Sequence, residues 1–179
     1  LDVKDYMASQ RTSALVIVHD GKVVLEEYGL DFGPQGKWTS FSVAKSLTST
    51  MVGAAVKDGH IKSLDDKVST YIAGLKGSEY DNVTVRQLLT MTSGVRWNED
   101  YEDPKSSAGE KWVYKTGETN LIGVLVSEAT GKPLAEYLSE KVWAPFGMEQ
   151  DATWLLGSTG HEISGCCIQA ATRDMARFG

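Results

Sequence analysis

The stretch that decides how this sequence is interpreted is Trp38-Thr39-Ser40-Phe41-Ser42-Val43-Ala44-Lys45-Ser46. It places Ser42 three residues before Lys45, at the start of a helical pattern that continues to about Val56. Positions i and i+3 lie on one face of a helix, so the lysine amine can approach the serine hydroxyl. A lysine that accepts the serine proton can activate the serine as a nucleophile without a histidine.

The predicted helix, from about residue 41 to residue 56, belongs in the interior because its residues are small or apolar nearly all round. Ser40 is predicted to be its N-cap. Lys45 is the only charged residue in this helix before Lys57. A lone buried ammonium group is unfavourable, so we expect the surroundings either to favour the neutral amine or to supply partners.

The spacing of Ser42 and Lys45 is weak support by itself, because this serine and lysine content gives roughly one Ser-x-x-Lys by chance. The alternative is a solvated lysine on the first turn of a surface helix. The position at a helix start favours the nucleophile, because amide N–H groups there stabilise developing negative charge.

The composition indicates one globular domain with no strongly basic surface. The chain has 179 residues, a formal net charge of −6 and 41% hydrophobic residues, enough for a sizeable core. The acidic balance argues against nucleic acid or an anionic membrane as the main partner. No apolar run approaches the roughly 18 residues of a membrane span. The chain shows no signal peptide, and a cytoplasmic and a periplasmic or secreted location both stay open.

The two cysteines, Cys166 and Cys167, are adjacent in the sequence. Adjacent cysteines have poor disulfide geometry and there is no third cysteine, so we expect both to be small buried residues. The alternative is a redox or metal site. His161 lies five residues before Cys166, but no zinc-ligand spacing is present.

The hydrophobic patterns predict a hairpin followed mainly by helices. Residues 13–28 form a β-hairpin around Asp20-Gly21, with the first strand buried on both faces. A capped short helical segment is predicted at 63–68, and four further helices are predicted at 84–91, 118–130, 133–143 and from residue 172 to the end of the chain. Gly131 ends the second of these, and Pro133 lies in the first turn of the third.

A series of motifs follows Ser42 in a fixed order. They are Leu64-Asp65-Asp66, Val85-Arg86-Gln87-Leu88-Leu89-Thr90-Met91-Thr92-Ser93-Gly94, Gly117-Glu118-Thr119-Asn120-Leu121-Ile122-Gly123, Ala129-Thr130-Gly131-Lys132-Pro133-Leu134, Trp143-Ala144-Pro145-Phe146-Gly147-Met148 and Thr172-Arg173-Asp174-Met175-Ala176-Arg177-Phe178-Gly179. With Ser42-Val43-Ala44-Lys45 they resemble the serine β-lactamase and penicillin-binding-protein superfamily. Within it the sequence is similar to the class C β-lactamase-related branch of esterases, D-amino-acid peptidases and 6-aminohexanoate-dimer hydrolases, and to the last of these most of all. The resemblance covers residues 13–179.

The resemblance implies an α/β (α+β) fold of the β-lactamase/transpeptidase type, with helices packed on an antiparallel sheet. Residues 1–179 would form a single serine hydrolase domain. In that family the domain continues beyond the position of Gly179 with strands that complete the sheet, so we expect the chain to lack these strands and to be incomplete. A hairpin alone leaves an open sheet edge, and we expect the isolated chain to be unstable or oligomeric.

The resemblance also implies roles for three residues. Ser42 would be the acylated nucleophile and the source of one oxyanion-stabilising N–H, and Lys45 its proton acceptor. The family's second motif, Tyr-x-Asn, corresponds by position to Tyr114-Lys115-Thr116, where threonine replaces the more common asparagine or serine. Tyr114 would relay the proton to the leaving group.

Two alternatives concern the same segment. Tyr114 could be a core tyrosine whose hydroxyl is hydrogen-bonded. Lys115-Thr116-Gly117 could instead be the family's third motif, Lys-Thr-Gly, which belongs on a strand that lines the pocket.

The predicted function is hydrolysis of an ester or amide bond by a serine hydrolase, through an acyl-enzyme and without a metal or organic cofactor. The alternatives are a penicillin-binding or sensor-like module without turnover and an inactive fragment. The partner would be a small ester, amide or β-lactam-like molecule. Trp97, Tyr101 and Trp112 could line an apolar acyl site, although core packing explains them equally well.

Overall fold

The computed structural model describes residues 2–96, 109 and 111–179. The chain separates into two compact units. Leu1–Ser40, Phe146–Thr153 and Ile168–Gly179 form one, which we call the hairpin unit, and Phe41–Pro145 and Trp154–Cys167 form the other, which we call the helical unit. The single domain inferred from the sequence stays a prediction.

The hairpin unit is built on the predicted hairpin. Strand β1 (Ala14–His19) pairs antiparallel with β2 (Lys22–Tyr28). The two turn residues, Asp20 and Gly21, have φ values of 49° and 71°. Positive φ at both positions is the geometry that suits the twist of a two-residue hairpin, so the prediction is confirmed.

The predicted burial of β1 is wrong. Its second half is exposed, with Ile17 45% and Val18 44% accessible. Helix α6 (Thr172–Phe178), predicted from the sequence, packs against β1. An antiparallel pair needs only one covered face, and an apolar run alone does not say whether the second face is covered.

A bidentate ion pair joins α6 to β2. The Arg173 guanidinium donates to both carboxylate oxygens of Glu26, at 2.7 and 2.8 Å. These hydrogen bonds, together with one from Tyr28, hold the pKa of Glu26 below its ordinary value. The pair fixes the orientation of the helix on the strand.

Three short strands and one helix were not predicted. Strand β3 (Lys37–Thr39) pairs antiparallel with β5 (Ile168–Ala171), in a sheet of order β3-β5-β4 with β4 at Thr153–Trp154. Helix α1 spans Val3–Ser9. Strands of two to four residues are too short to show an alternating pattern, because they contain at most two full periods.

Ser40 extends the pairing of β3 with β5. Its N–H donates to the Ile168 carbonyl at 2.8 Å, and its hydroxyl accepts from the Ile168 N–H at 3.2 Å. The N-cap position of the following helix is Val43. The prediction of Ser40 as the N-cap is therefore wrong, because a 3₁₀ turn at Phe41–Val43 intervenes.

The helical unit contains the remaining four helices. They are α2 (Ala44–Lys57), α3 (Val85–Leu89), α4 (Thr116–Thr130) and α5 (Leu134–Leu138), which continues as a π-helical turn over Ser139–Trp143. All four were predicted to within a few residues, but the helical segment predicted at 63–68 is wrong, because residues 64 and 65 form a turn and a 3₁₀ turn begins only at Val68. Gly131, with φ 68°, ends α4 as expected. Pro133 is the N-cap of α5 and does not lie in its first turn.

The core of the helical unit lies between α2 and α4. Leu47 and Met51 of α2, and Leu125 and Val126 of α4, are fully buried. The opposite face of α2 is exposed at residues 46, 49, 50 and 53. The prediction that α2 is surrounded on all sides is therefore wrong.

Two hydroxyls explain the error in the predicted burial of α2. Ser49 and Thr50 both donate to the Ser46 carbonyl, at 2.9 and 2.8 Å. Small hydroxyl residues that bond to their own helix backbone tolerate solvent, although the sequence pattern counts them with the small buried residues. Among the described residues, no helix has the length and apolar character that crossing a bilayer requires.

The expectation for the cysteines is also wrong. Cys166 and Cys167 are half-buried and bonded to each other in a vicinal disulfide, with their Cα atoms 3.7 Å apart. Cys167 adopts a φ of 76°, a region that L-residues seldom occupy. The fold holds this backbone conformation, which sequence spacing could not reveal.

Substitution of Gly123 tests how closely α4 packs against Ser164. A Cβ at this position would lie 1.7 Å from Ser164 Oγ and 2.5 Å from Ser164 Cβ. Because the second contact involves an atom close to the backbone, Gly123→Ala should destabilise the protein by about 1–3 kcal/mol. Chemical denaturation of the two proteins measures the difference.

Gly53 of α2 provides the control. A Cβ there meets nothing within 4 Å, so Gly53→Ala should stabilise the helix by about 0.5–1 kcal/mol. Equal effects of the two substitutions would contradict the packing described for Gly123.

The vicinal disulfide predicts a defined alkylation pattern. In denaturant without a reductant, iodoacetamide should modify neither Cys166 nor Cys167, because both sulfurs are bonded. After reduction, both should be modified. Intact-protein mass spectrometry measures the number of adducts, and two adducts before reduction would show that the bond is absent.

Candidate active site

Ser42 occupies the 3₁₀ turn that leads into α2. The residue before it, Phe41, has a φ of 45°, a conformation that costs a non-glycine residue about 1–3 kcal/mol. This sharp turn leaves Ser42 exposed at the start of the helix. Residues in such conformations are concentrated at functional sites.

Three predicted site residues meet at the Ser42 hydroxyl. Lys45 Nζ lies 3.1 Å from Ser42 Oγ, and the Tyr114 hydroxyl donates to the same oxygen at 2.8 Å. Lys45 Nζ also lies 5.0 Å from the centre of the Tyr114 ring. The i, i+3 spacing brought Ser42 and Lys45 together as expected, whereas the approach of Tyr114 spans 72 residues of sequence.

Lys45 is half-buried and has a second partner that the sequence did not indicate. Its Nζ donates to the Gly165 carbonyl at 2.7 Å. Gly165 is held in place by its own N–H, which donates to Asn120 Oδ1 at 2.9 Å. A Cβ on Gly165 would lie 2.7 Å from Thr116 Cγ2, so a larger residue at this position would displace the Thr116 side chain.

The neighbouring residue is held in the same way. The Thr48 hydroxyl, one turn after Lys45 on α2, donates to the Ser164 carbonyl at 2.8 Å and is fully buried. The backbone at Ser164-Gly165 is therefore attached to both α2 and α4. In the sequence, only Asn120 pointed to this attachment, because it lies inside one of the recognised motifs.

The environment of Tyr114 favours loss of its proton. Hydrogen bonds with Lys45 and Ser42 lower the pKa of Tyr114 from its ordinary value of 10, and a hydrogen bond with Thr116 contributes in the same direction. Burial opposes this effect, but the side chain is 42% exposed. Tyr114 is therefore an exposed residue next to Ser42, and the alternative of a core tyrosine is wrong.

The alternative that Lys115-Thr116-Gly117 is the third motif is also wrong. Lys115 is the N-cap of α4, and Thr116 and Gly117 form its first turn, whereas that motif belongs on a strand. Lys115 is 2% exposed, and its side chain donates to Ser93 Oγ at 3.2 Å.

Of the three aromatic residues proposed for an acyl site, only Trp112 lies among the described residues. Trp112 is 62% exposed, so it is not a core residue. Its ring packs edge-on to that of Tyr114, with centroids 6.3 Å apart. Trp97 and Tyr101 lie outside the described residues.

Two curated proteins are similar to this chain in sequence. The chain is 29% identical to the 6-aminohexanoate-dimer hydrolase of Paenarthrobacter ureafaciens, in an alignment that covers 99% of this chain and 53% of that protein. It is 24% identical to a beta-lactamase of Pseudomonas fluorescens, over 76% of this chain and 44% of that protein.

Solved structures show the same fold. A Bacillus anthracis protein provisionally assigned as a 6-aminohexanoate-dimer hydrolase matches with a TM-score of 0.90 and 25% identity, over 99% of this chain and 55% of that one. The D-alanine carboxypeptidase AmpC of Burkholderia cenocepacia matches with a TM-score of 0.79 and 20% identity, over 98% and 60%. The predicted fold of helices with antiparallel sheets, of the β-lactamase/transpeptidase type, is confirmed.

The chain spans about half the length of the curated relatives it matches. Both curated relatives, the 6-aminohexanoate-dimer hydrolase and the beta-lactamase, are hydrolases. The model of the beta-lactamase family matches residues 2–179, and the chain therefore belongs to the beta-lactamase family.

Proposed function

We propose that the protein is a serine hydrolase that cleaves an ester or amide bond through an acyl-enzyme on Ser42. The observation that supports this most directly is the convergence of Lys45 Nζ and the Tyr114 hydroxyl on Ser42 Oγ, at 3.1 and 2.8 Å. Both distances lie within the range for proton transfer between a nucleophile and its base. Ser42 is also exposed, so a carbonyl carbon can reach it.

The proton of Ser42 passes to the pair formed by Lys45 and Tyr114. The pair accepts that proton in the form in which Lys45 is a neutral amine. Lys45 takes the serine proton as Ser42 Oγ attacks, and the Gly165 carbonyl keeps the amine in place. Tyr114 then gives a proton to the leaving group as the bond from the carbonyl carbon breaks. Water hydrolyses the ester left on Ser42.

The names of the relatives support a small amide as substrate. A 6-aminohexanoate dimer contains an amide bond, and a β-lactam is a cyclic amide. Esters are attacked by the same nucleophile, so small esters belong to the proposed range. Trp112 and Phe41, 62% and 64% exposed, provide apolar surface in the unit that contains Ser42.

Labelling with a fluorophosphonate tests the nucleophile. The full-length protein should form one covalent adduct, Ser42→Ala should form none, and Tyr114→Phe should react about 10²- to 10⁴-fold more slowly because a proton-transfer group is lost. Mass spectrometry of the labelled protein measures the adduct. Ser49→Ala, which removes an exposed serine of the same helix, is the control and should react normally.

Two outcomes would change the proposal. An adduct that persists in Ser42→Ala would exclude Ser42 as the nucleophile. If a penicillin or small ester acylates Ser42 once and the acyl group is not released, the protein is a sensor-like module and not a hydrolase. Turnover assays with a panel of esters, linear amides and β-lactams distinguish the two functions.

The pKa of Tyr114 gives a prediction about pH. Because the hydrogen bond with Lys45 is the largest cause of the lowered value, Lys45→Met should raise the pKa of Tyr114 back towards 10. In that variant the phenolate should therefore form only at a higher pH than in the unsubstituted protein. Ultraviolet difference titration of the phenolate measures this shift.

Lys57→Met is the matched control, since it removes an exposed lysine at the end of the same helix. It should leave the titration of Tyr114 unchanged. An unchanged phenol titration in Lys45→Met would mean that Lys45 does not act on Tyr114.

A further inference from the structure

The residue after Tyr114 belongs to a buried charged cluster that the proposed chemistry does not use. Lys115 is 2% exposed and Glu118 is fully buried, and Lys115 Nζ lies 3.2 Å from Glu118 Oε1. We call Lys115, Glu118 and Ser93 the anchor cluster. All three lie in the helical unit.

The anchor cluster joins two segments that are distant in sequence. Lys115 Nζ donates to Ser93 Oγ at 3.2 Å and to the Val95 carbonyl. Ser93 donates to Glu118 Oε1 and accepts from the Val95 N–H at 3.1 Å. The first turn of α4 is thereby fixed to the backbone of residues 93–95.

Stability is a poor explanation for this cluster. Removing two charges from water costs more than their attraction commonly returns, so well-packed apolar residues of similar volume are often as good. Burial raises the pKa of Glu118, and the hydrogen bond with Ser93 and the charge of Lys115 only partly oppose it. Glu118 Oε2 is buried and has no hydrogen-bond partner among the described residues.

The backbone at Lys115 connects the cluster to Tyr114. Lys115 is extended, with φ −140° and ψ 102°. In an extended chain, successive side chains point to opposite sides. The Lys115 side chain points into the helical unit, and the Tyr114 side chain therefore points outwards, where its hydroxyl reaches Ser42.

Tyr114 contacts Ser42, Lys45, Thr116 and Trp112, and its backbone neighbours set the direction in which it points. Its side chain is 42% exposed, and the backbone on either side is attached to Met91, by Val113 N–H to the carbonyl at 3.1 Å and by Lys115 N–H to Sδ at 3.4 Å. A bond to sulfur is weak, so the buried Lys115 side chain adds a stronger restraint on the direction of this segment.

We propose that Lys115, Glu118 and Ser93 are positioning residues that hold the Tyr114 hydroxyl on Ser42. This inference depends on the proposed function, in which Tyr114 takes part in proton transfer. Displacement of a reacting group by about 1 Å can reduce a rate 10²-fold, so an anchor without any contact to substrate has a measurable effect.

The test is a double-mutant cycle in the full-length protein with a fluorophosphonate as the probe. Lys115→Met should slow the maximal labelling rate by about 10²-fold while the probe concentration at half-maximal rate changes little. In the Tyr114→Phe background the same substitution should have almost no further effect. A merely structural role would slow labelling equally in both backgrounds.

A second variant distinguishes slow labelling from loss of folding. Lys115→Met leaves Glu118 buried without its partner, so the combined Lys115→Met, Glu118→Met variant removes both charges and should restore thermal stability. It should still label slowly, because no directed hydrogen bond holds the segment. The exposed pair Lys132–Glu140 supplies the control, and Lys132→Met should label normally.

The outcomes separate the two proposals. A folded double variant that labels at the normal rate, or an equal loss with and without Tyr114, overturns the anchor cluster alone. Labelling that survives Ser42→Ala overturns the proposed function itself. Loss of labelling on Ser42→Ala, slowing by Tyr114→Phe and non-additivity with Lys115→Met support both.

Discussion

The position of the Lys45 amine, between the Ser42 hydroxyl and the Gly165 carbonyl, is the interaction on which the site depends. The amine reaches Ser42 because both lie at the start of α2, and it reaches Gly165 because Thr48 and Asn120 hold the backbone there. A helix that places apolar residues against α4 on one side, and hydroxyls towards solvent on the other, allows Lys45 to be half-buried. Full burial would isolate the amine from a substrate, whereas full exposure would leave it without fixed partners.

Two lysines of the helical unit show how burial separates roles. Lys45 is half-buried, next to an exposed serine and a phenol whose pKa it lowers. Lys115 is buried and surrounded by a carboxylate, a hydroxyl and a carbonyl. The first is placed where protons can be exchanged, and the second where a fixed geometry can be maintained. Sequence motifs do not distinguish these roles, because both lysines occur next to recognised residues.

Membership of the beta-lactamase family and the geometry at Ser42 are independent observations that agree. The family match extends from residue 2 to residue 179, and the three side chains meet within hydrogen-bonding distance. Because the chain covers about half of the relatives' length, its substrates and turnover are matters for experiment. Within the described residues, Ser42, Lys45 and Tyr114 make the direct contacts that the proposed proton transfer requires.

The sequence by itself determined the local features of this protein. It predicted the hairpin from Asp20-Gly21, the helices from their periodicity and the approach of Ser42 and Lys45 from helical geometry. Each of these depends on residues close together in the chain. The family resemblance supplied Tyr114, which periodicity could not have found.

Only the tertiary structure decided which surfaces are covered and which distant groups meet. Whether a face of β1 or α2 is exposed depends on whether another element packs against it. The apolar composition of the element is the same for a covered and for an exposed face. The Gly165 carbonyl lies 120 residues from Lys45, and the burial of Lys115 depends on Ser93, 22 residues away. Packing between separate elements fixes such contacts. The pattern of residues within one element does not indicate them.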